Sequence, residues 1–360
     1  MPKVLFISSF HPHAEGNIGA GEAICGHSLE SLLSKGYDVD VIVNAPSRQT
    51  AKESVVHQCK SYTILDTNII KAVLSIFYNF FNFSFLAPWF FSRVNFSVVK
   101  LMKKKIEQND YDFIWLDFPS SLGFSCHIKN KKIIYFAHDI VFQRISRSIL
   151  KRLFTKLVTF TELFLIRKCD EIFFLSTKDM DLVLPLLRIN QKTHIVKDIN
   201  YKAGVVKDSI SAEELVKKFD DNRNAVFFGN MSRPENHWSI VFFIIFHFFR
   251  IKDKKLHFWI VGLSPKLSLI LLSKLCERIH VTGAVDDPEI IFKKSDFCLV
   301  PLLFGAGVKI KVLQMLGAGS YVISTPVGAE GIYESSRLII SEVKYISKKI
   351  DDFLSFKKIN

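Results

Sequence analysis

The sequence predicts two α/β domains, each a parallel sheet covered by helices. Three observations point there. At 360 residues the chain is long for one hydrophobic core and comfortable for two. Short apolar runs alternate with helical patterns along nearly the whole length, as in sheets built by helical crossovers. Glycine-bearing turns also follow several of the apolar runs, at the strand ends where open α/β sheets bind ligands.

In the first half the strand-like runs are Val4–Phe10, Asp38–Val43, Phe113–Phe118, Lys132–His138 and Glu171–Thr177. Helical stretches at Gly21–Ser34, Ser97–Gln108 and Leu150–Lys168 lie between them. The second half offers strands at Ala225–Asn230, His257–Gly262, His280–Val285, Phe297–Leu302 and Tyr321–Thr325, with helices at Trp238–Ile251 and Ile310–Leu316. The polar stretch Asn200–Asp221 marks the boundary. The expected division is an amino-terminal domain over 1–200, a carboxyl-terminal domain over 201–340 and a closing helix over 341–360.

Composition narrows the partners. The chain holds 34 Phe, and 48 Lys+Arg against 35 Asp+Glu give a formal net charge of +13. Its mean hydropathy is +0.21, high for a chain this basic. Basic and apolar together fit an anionic membrane surface; nucleic acid fits only the charge, and no nucleic-acid-binding motif is present. Six cysteines without CxxC pairing predict neither disulfides nor a metal site and fit a reducing cytosol. Val4–Phe10 opens straight into the fold, so no signal peptide is expected.

Ala72–Ser92 carries no charge over a length that could cross a bilayer. Ser75, Asn79, Asn82, Ser84 and Pro88 interrupt its apolar face. The segment is expected as helices docked on the domain or lying on a membrane surface.

The turns after strands carry the chemistry. After the first strand, Gly16, Gly19 and Gly21 open a helix with GxxGxG spacing, which is not the dinucleotide fingerprint. His138 and Asp139 end an apolar run, where ionisable groups are costly unless paired or used. An imidazole and a carboxylate there could take a proton from a hydroxyl or hold a sugar; the plain alternative is Asp139 as a helix cap. In "VFFGNMSRPEN", Gly229 permits close backbone approach, Asn230 offers an amide and Arg233 can fork onto phosphate oxygens before Pro234 starts a helix.

The richest turn is "PLLFGAGVKIKVLQMLGAG", Pro301–Gly319. Gly305, Gly307, Val308 and Lys309 lead into a helix whose amino-terminal N–H groups favour an anion. Lys311 and Gln314 share a face of that helix, placed for a diphosphate and a ribose hydroxyl; Lys309 points elsewhere. The pattern is not a P-loop. A further turn, "TPVGAEGI", brings Gly328, Glu330 and Gly331 to the same sheet edge. The triplets Asp38–Asp40 and Asp179–Asp181 fall in a strand and a helix start, so neither is read as a metal motif.

Together "FFGNMSRPEN", "HFWIVG", "VTGAVDD" and residues 301–332 resemble the bacterial group 1 (family 4-like) glycosyltransferases, over about 130 residues. The amino-terminal half resembles them more loosely, through residues 19–43 and "AHD" at 137–139. The resemblance implies a GT-B fold, two Rossmann-like parallel-sheet domains facing each other across a cleft. It implies a nucleotide-diphosphate sugar donor held mostly by the second domain, with Lys311 and the Arg233 loop on the diphosphate. Asp139, His138 and Lys311 are its implied catalytic residues, and the glycine loop at 16–21 would close over the phosphates. Where the family usually has a glutamate on the donor ribose this chain has Gln314, and eight residues earlier Ala306 stands where many relatives carry another.

The resemblance further implies retention of configuration and neither cofactor nor metal, the leaving diphosphate being neutralised by side chains and a helix end. With the charge and the 72–92 segment, it points to a glycan or a polyprenyl or other lipid-linked acceptor in surface polysaccharide synthesis, on the cytoplasmic side of the inner membrane. Two other readings stay open, a non-catalytic nucleotide-sugar-binding subunit and a GT-B-like sugar-nucleotide epimerase.

Overall fold

The structure is a computed structural model that describes residues 1–12, 20–45, 56–146, 152–188, 190–196, 209–219, 222–305, 307–332 and 335–359. The chain divides into two compact units, Met1–Lys202 and Ala203–Asn360.

Unit 1 runs β1 (Lys3–Ser8), α1 (Ala20–Ser34), β2 (Asp38–Ala45), β3 (Ser61–Asp66), α2 (Ile69–Tyr78), α3 (Phe96–Gln108), β4 (Phe113–Asp117), β5 (Ile133–Ala137), α4 (Val141–Ser146), α5 (Thr155–Ile166), β6 (Glu171–Phe174), α6 (Thr177–Val183) and β7 (Lys192–Ile195). Its strands form a parallel sheet in the order β3-β2-β1-β4-β5-β6-β7. The central strands β4 and β5 are buried at every position, because helices cover both faces of the sheet. Leu5, Ile7, Ile114, Leu116 and Tyr135 from the strands pack with Phe90, Phe91, Val98 and Met102 in one core.

Unit 2 runs α7 (Ala212–Val216), β8 (Arg223–Phe228), α8 (Pro234–Phe246), β9 (Leu256–Val261), α9 (Leu267–Leu275), β10 (Ile279–Gly283), α10 (Pro288–Lys294), β11 (Phe297–Val300), α11 (Ile310–Gly317), β12 (Val322–Ser324), β13 (Leu338–Ile340) and α12 (Ile346–Ile359). Its parallel sheet has the order β10-β9-β8-β11-β12-β13. The core joins Val226, Phe227, Phe258 and Ile260 to Phe243, Val312, Met315 and Phe353.

The strands absent from the sequence reading are β3, β7 and β13. All three lie at sheet edges and are half exposed, so they lack the unbroken apolar run that marks a buried parallel strand. Helix boundaries also shift. Pro234 at the first helical position starts α8 four residues before the expected Trp238, and α5 begins at Thr155 after a short 3-10 turn, Arg152–Phe154.

The 72–92 segment is broken up. Helix α2 is ten residues long and is followed by 3-10 turns at Phe80–Asn82 and Pro88–Phe90. Among the described residues no helix is long and apolar enough to cross a membrane. The Asp triplets have structural work. Asp40 is buried on β2, accepting from Tyr111 Oη at 2.8 Å and from Lys105 Nζ at 3.2 Å, and Asp179 lies in the first turn of α6, capped by Ser176.

Candidate active site

In each sheet the order reverses beside the first strand, between β1 and β4 in unit 1 and between β8 and β11 in unit 2. The two crossovers leave that point in opposite directions, opening a crevice beyond the strand ends where backbone and helix N-termini face outward.

In unit 2, β8 ends at Phe228 and Gly229–Asn230 carry the chain into α8. Gly262 follows β9 with φ 133°, and a Cβ there would stand 2.0 Å from the Gly229 carbonyl oxygen. Only glycine lets the two strand ends pass that closely. A Cβ on Gly229 itself would meet Asn236 Nδ2 at 2.9 Å and Lys311 Nζ at 3.0 Å.

Those two side chains organise the site. Asn236, buried in the first turn of α8, donates from Nδ2 to the Asn230 carbonyl at 2.8 Å and accepts from Lys311 Nζ at Oδ1, also at 2.8 Å. Lys311 Nζ stands 4.0 Å from the centroid of the Phe227 ring beneath it. The Asn230 side chain accepts from Ser232 N at 2.8 Å and so shapes the loop. Arg233 is exposed at the head of α8, its Nη1 3.8 Å from Glu235 Oε1.

The facing wall is the turn between β11 and α11. Ser239 of α8 accepts from Leu303 N at 3.0 Å, tying the turn to the helix that carries Asn236. Gly305 (φ 136°) and Gly307 (φ 74°) both adopt left-handed backbone that a side chain would strain. Lys309 Nζ lies 3.9 Å from Glu330 Oε2, both side chains nearly buried. Thr325 Oγ1 donates to the Leu302 carbonyl at 2.6 Å and accepts from Gly328 N at 3.1 Å, joining the turns after β11 and β12. Val308 and Gln314 are partly exposed in the turn and on α11.

Gly229, Asn230, Arg233, Gly305, Gly307, Val308, Lys309, Lys311, Gln314, Gly328 and Glu330 therefore all lie at the carboxyl edge of one sheet. Ala306, between the two glycines, lies outside the described residues. The electrostatics are unusual for a lysine in a fold. Burial pulls Lys311 down to about 7, the Lys309 and Arg233 charges act in the same direction, and Glu235 opposes them. Three cations around the start of a helix form a site whose charge an anion would satisfy. Unit 2 also carries a histidine pair, His257 Nδ1 2.8 Å from His280 Nε2, near the amino ends of β9 and β10, away from that edge.

In unit 1, His138 and Asp139 follow β5 and Asp117 ends β4. His138 finds its carboxylate in Asp117, not in its neighbour: Nε2 lies 2.9 Å from Asp117 Oδ1 and 3.3 Å from Oδ2. Asp139 accepts from Arg144 Nη1 at 2.7 Å. Buried His138 Nδ1 and Asp139 Oδ1 have no hydrogen-bond partner among the described residues. With Nε2–H given to Asp117, Nδ1 is the bare nitrogen that can accept a proton. Phe118, next to Asp117, has φ 74°, a strained value for a bulky residue, and sets its ring edge-on to His138 with centroids 5.2 Å apart.

The cap of α4 is neither His138 nor Asp139. Glu162 of α5, fully buried, accepts from Val141 N at 2.9 Å and Phe142 N at 2.8 Å. Gly21 lies in α1, where a Cβ would press on the Phe10 ring at 3.1 Å. Gly16 and Gly19 lie outside the described residues.

Asp117, Asn236, Phe227 and Glu162 were missed from the sequence. Asp117 left one signal, an acid closing a five-residue run that is otherwise apolar. Among the described residues no group of three or more His, Cys, Asp or Glu is placed to hold a metal.

Comparison with known proteins agrees with this architecture. Residues 222–355 match the family model "Glycosyl transferases group 1". A 44.6 kDa protein in the cps region of Klebsiella pneumoniae is 22% identical over 366 residues, covering 92% of this chain and 84% of that protein. Sucrose-phosphate synthase from Thermosynechococcus elongatus superposes with a TM-score of 0.69 at 13% identity, over 99% of this chain and 90% of the other. Anabaena Alr3699/HepE in complex with UDP gives 0.65 at 12% identity, over 99% and 90%. WaaG, a glycosyltransferase involved in lipopolysaccharide biosynthesis, gives 0.60 at 12% identity, over 98% and 90%. The fold is GT-B, residues 222–355 form a group 1 glycosyltransferase domain, and the chain is a glycosyltransferase.

Proposed function

We propose that this glycosyltransferase moves a sugar from a nucleotide-diphosphate donor to a hydroxyl of a glycan or lipid-linked acceptor, in surface polysaccharide synthesis at the cytoplasmic face of the inner membrane. The observation that carries the reading is the Lys311 cluster. A partly buried lysine pulled down to about 7 beside Lys309 and Arg233 is a cost to the empty fold that a diphosphate removes. The similarity to a capsule-region protein and to WaaG supports the polysaccharide setting, and the UDP complex of HepE supports a nucleotide donor.

In this reading Lys311 and Arg233 hold the diphosphate and take up charge as it leaves, which stabilises the transition state more than the ground state. The turn at Gly305–Lys309 offers backbone N–H groups to the phosphates, with Lys309 held by Glu330. Gln314 hydrogen-bonds the donor ribose without adding charge. His138, oriented by Asp117, serves as the base for the reacting hydroxyl through its bare nitrogen, and Asp139 orders the α4 end beside it. Transfer proceeds with retention and without a metal, protein cations replacing it.

The test is product formation. Purified enzyme is incubated with UDP-, GDP-, dTDP- and CMP-sugars and a membrane lipid extract, with and without EDTA, and products are read by mass spectrometry and anomeric NMR. Sugar transfer that survives EDTA, with the donor configuration kept, is the expected result. Interconversion of the nucleotide sugar without acceptor, or nucleotide binding without turnover, would contradict it.

A further inference from the structure

Helix α2 is built inside out. Its Ser75 and the capping Asn79 face the protein, and most of its large apolar residues face water. Ser75 and Asn79 are buried, with Asn79 Nδ2 donating to the Ser75 and Val94 carbonyls at 2.7 Å and Oδ1 lying 2.6 Å from His127 Nε2. The buried Ser84 fastens the following turn to the Ile76 carbonyl at 2.5 Å. Meanwhile Ile69 is 84% exposed, Phe77 70% and Phe81 94%. A soluble surface helix would present the opposite faces.

The exposed apolar surface does not stop at α2. Phe83 packs edge-on against Phe160 and Phe164 of α5, with centroids 5.8 Å apart in both pairs. Leu153 and Phe154, in the turn before α5, and Phe160 within it are themselves exposed. On the other side Tyr78 meets the exposed Phe96 of α3 at 5.8 Å.

The segments that build this face carry exposed charge of one sign. No acidic residue occurs between Asp66 and Glu107, while Lys71, Lys100, Lys103 and Lys104 are exposed there. Phe96, Lys100 and Lys103 share one face of α3. Over residues 152–169 the only acid is Glu162, which is buried, while Lys156, Arg167 and Lys168 are exposed. Lys168 lies over the Phe164 ring, 4.7 Å from its centroid.

We propose that this face, made of α2, the turns at 80–90, the amino-terminal part of α5 and the lysine edge of α3, docks unit 1 on an anionic lipid bilayer. Aromatic and aliphatic side chains enter the interface while the surrounding lysines meet lipid phosphates. A second copy of the chain fits worse, since pairing like faces would set the two lysine rims against each other. The inference deepens the lipid-linked-acceptor reading by naming the surface that meets the membrane, and its test needs no turnover.

The full chain is sedimented with vesicles of phosphatidylcholine alone and of phosphatidylcholine with phosphatidylglycerol, at low and high salt. Two double variants accompany it, Phe77→Ser with Phe81→Ser and Lys100→Glu with Lys104→Glu. Expected is binding to the anionic vesicles that is at least tenfold weaker to neutral ones and weakened by salt. The phenylalanine variant loses at least tenfold, and the lysine variant roughly fivefold per lysine. All four side chains are exposed, so thermal melting should not change, and melting curves check this. Wild-type protein left in the supernatant, variants that bind as wild type, or a dimer dispersed by Phe77→Ser with Phe81→Ser would each overturn the inference. Wild-type protein that binds neither kind of vesicle yet transfers sugar to a soluble acceptor would overturn it while leaving the proposed function standing.

Discussion

Lys311 donates from Nζ to Oδ1 of Asn236 across 2.8 Å, a bond between α11 and the first turn of α8. The partner is an amide, so the lysine is oriented without being neutralised. Its charge stays available to a ligand. Asn236→Asp would place a carboxylate there, neutralise the lysine and repel phosphate. Affinity for a nucleoside diphosphate should fall by roughly 1–3 kcal/mol, about five- to 150-fold, read by calorimetry. Unchanged affinity would remove Lys311 from the diphosphate site.

The same lysine gives donor binding a pH dependence. Free Lys311 loses its proton near pH 7, chiefly through burial, and a bound diphosphate would raise it again. Above pH 7 binding must therefore take up a proton, and affinity should fall by up to about tenfold per pH unit. Titrations at pH 8.5 in buffers of different ionisation enthalpy should show uptake approaching one proton. Lys311→Ala should abolish that uptake.

Asp117 holds the Nε2 side of His138. Asp117→Asn can offer its amide N–H instead, which drives the proton to Nδ1 and closes the bare nitrogen. Turnover should drop by roughly 10²–10⁴, as for loss of a general base, while affinity for the donor nucleotide stays within about twofold. The two effects separate in a kcat and Kd comparison. An equal loss in both would mean that Asp117 supports the fold and not the chemistry.

Glu162 couples stability to pH. Burial pushes its carboxyl up to about 8, against the two backbone N–H bonds that favour the charged form, and Asp139 adds to the rise. Between pH 4.5 and 8 the folded state thus holds a proton that the unfolded chain releases. The stabilising proton is fully present below the unfolded value near 4.5, and its contribution is lost as pH rises through 8. The span is on the order of a few kcal/mol. Glu162→Gln removes this slope, so denaturant unfolding of wild type and variant should diverge between pH 5 and 8.5. Parallel curves would contradict it.

The buried parts of the fold were legible because parallel strands covered on both faces write continuous apolar runs. β4 and β11 read plainly. The edge strands β3, β7 and β13 did not, since one wet side dilutes the pattern. At the site, glycine turns and cations announced themselves by following strands, as in the Gly305–Lys311 stretch. What stayed hidden were partners brought together by folding. Asn236 reaches Lys311 across 75 positions, and Asp117 reaches His138 across 21. Neither spacing has a local signature. The inverted α2 was half visible: Ser75, Asn79 and Ser84 looked like interruptions of an apolar face, and they are its anchors.

In the proposed reaction the Lys311 cluster receives the donor diphosphate. The most direct measurement is ligand-dependent thermal shift against UDP-, GDP-, dTDP- and CMP-sugars, without added metal, on wild type and Lys311→Ala. Ligand at a hundred times its dissociation constant adds about 2.7 kcal/mol of apparent stability, so a true donor should be evident. A shift for one nucleotide class that disappears in a folded Lys311→Ala variant is the predicted result. A shift of equal size in both proteins, or none for any donor in folded wild type, would contradict it.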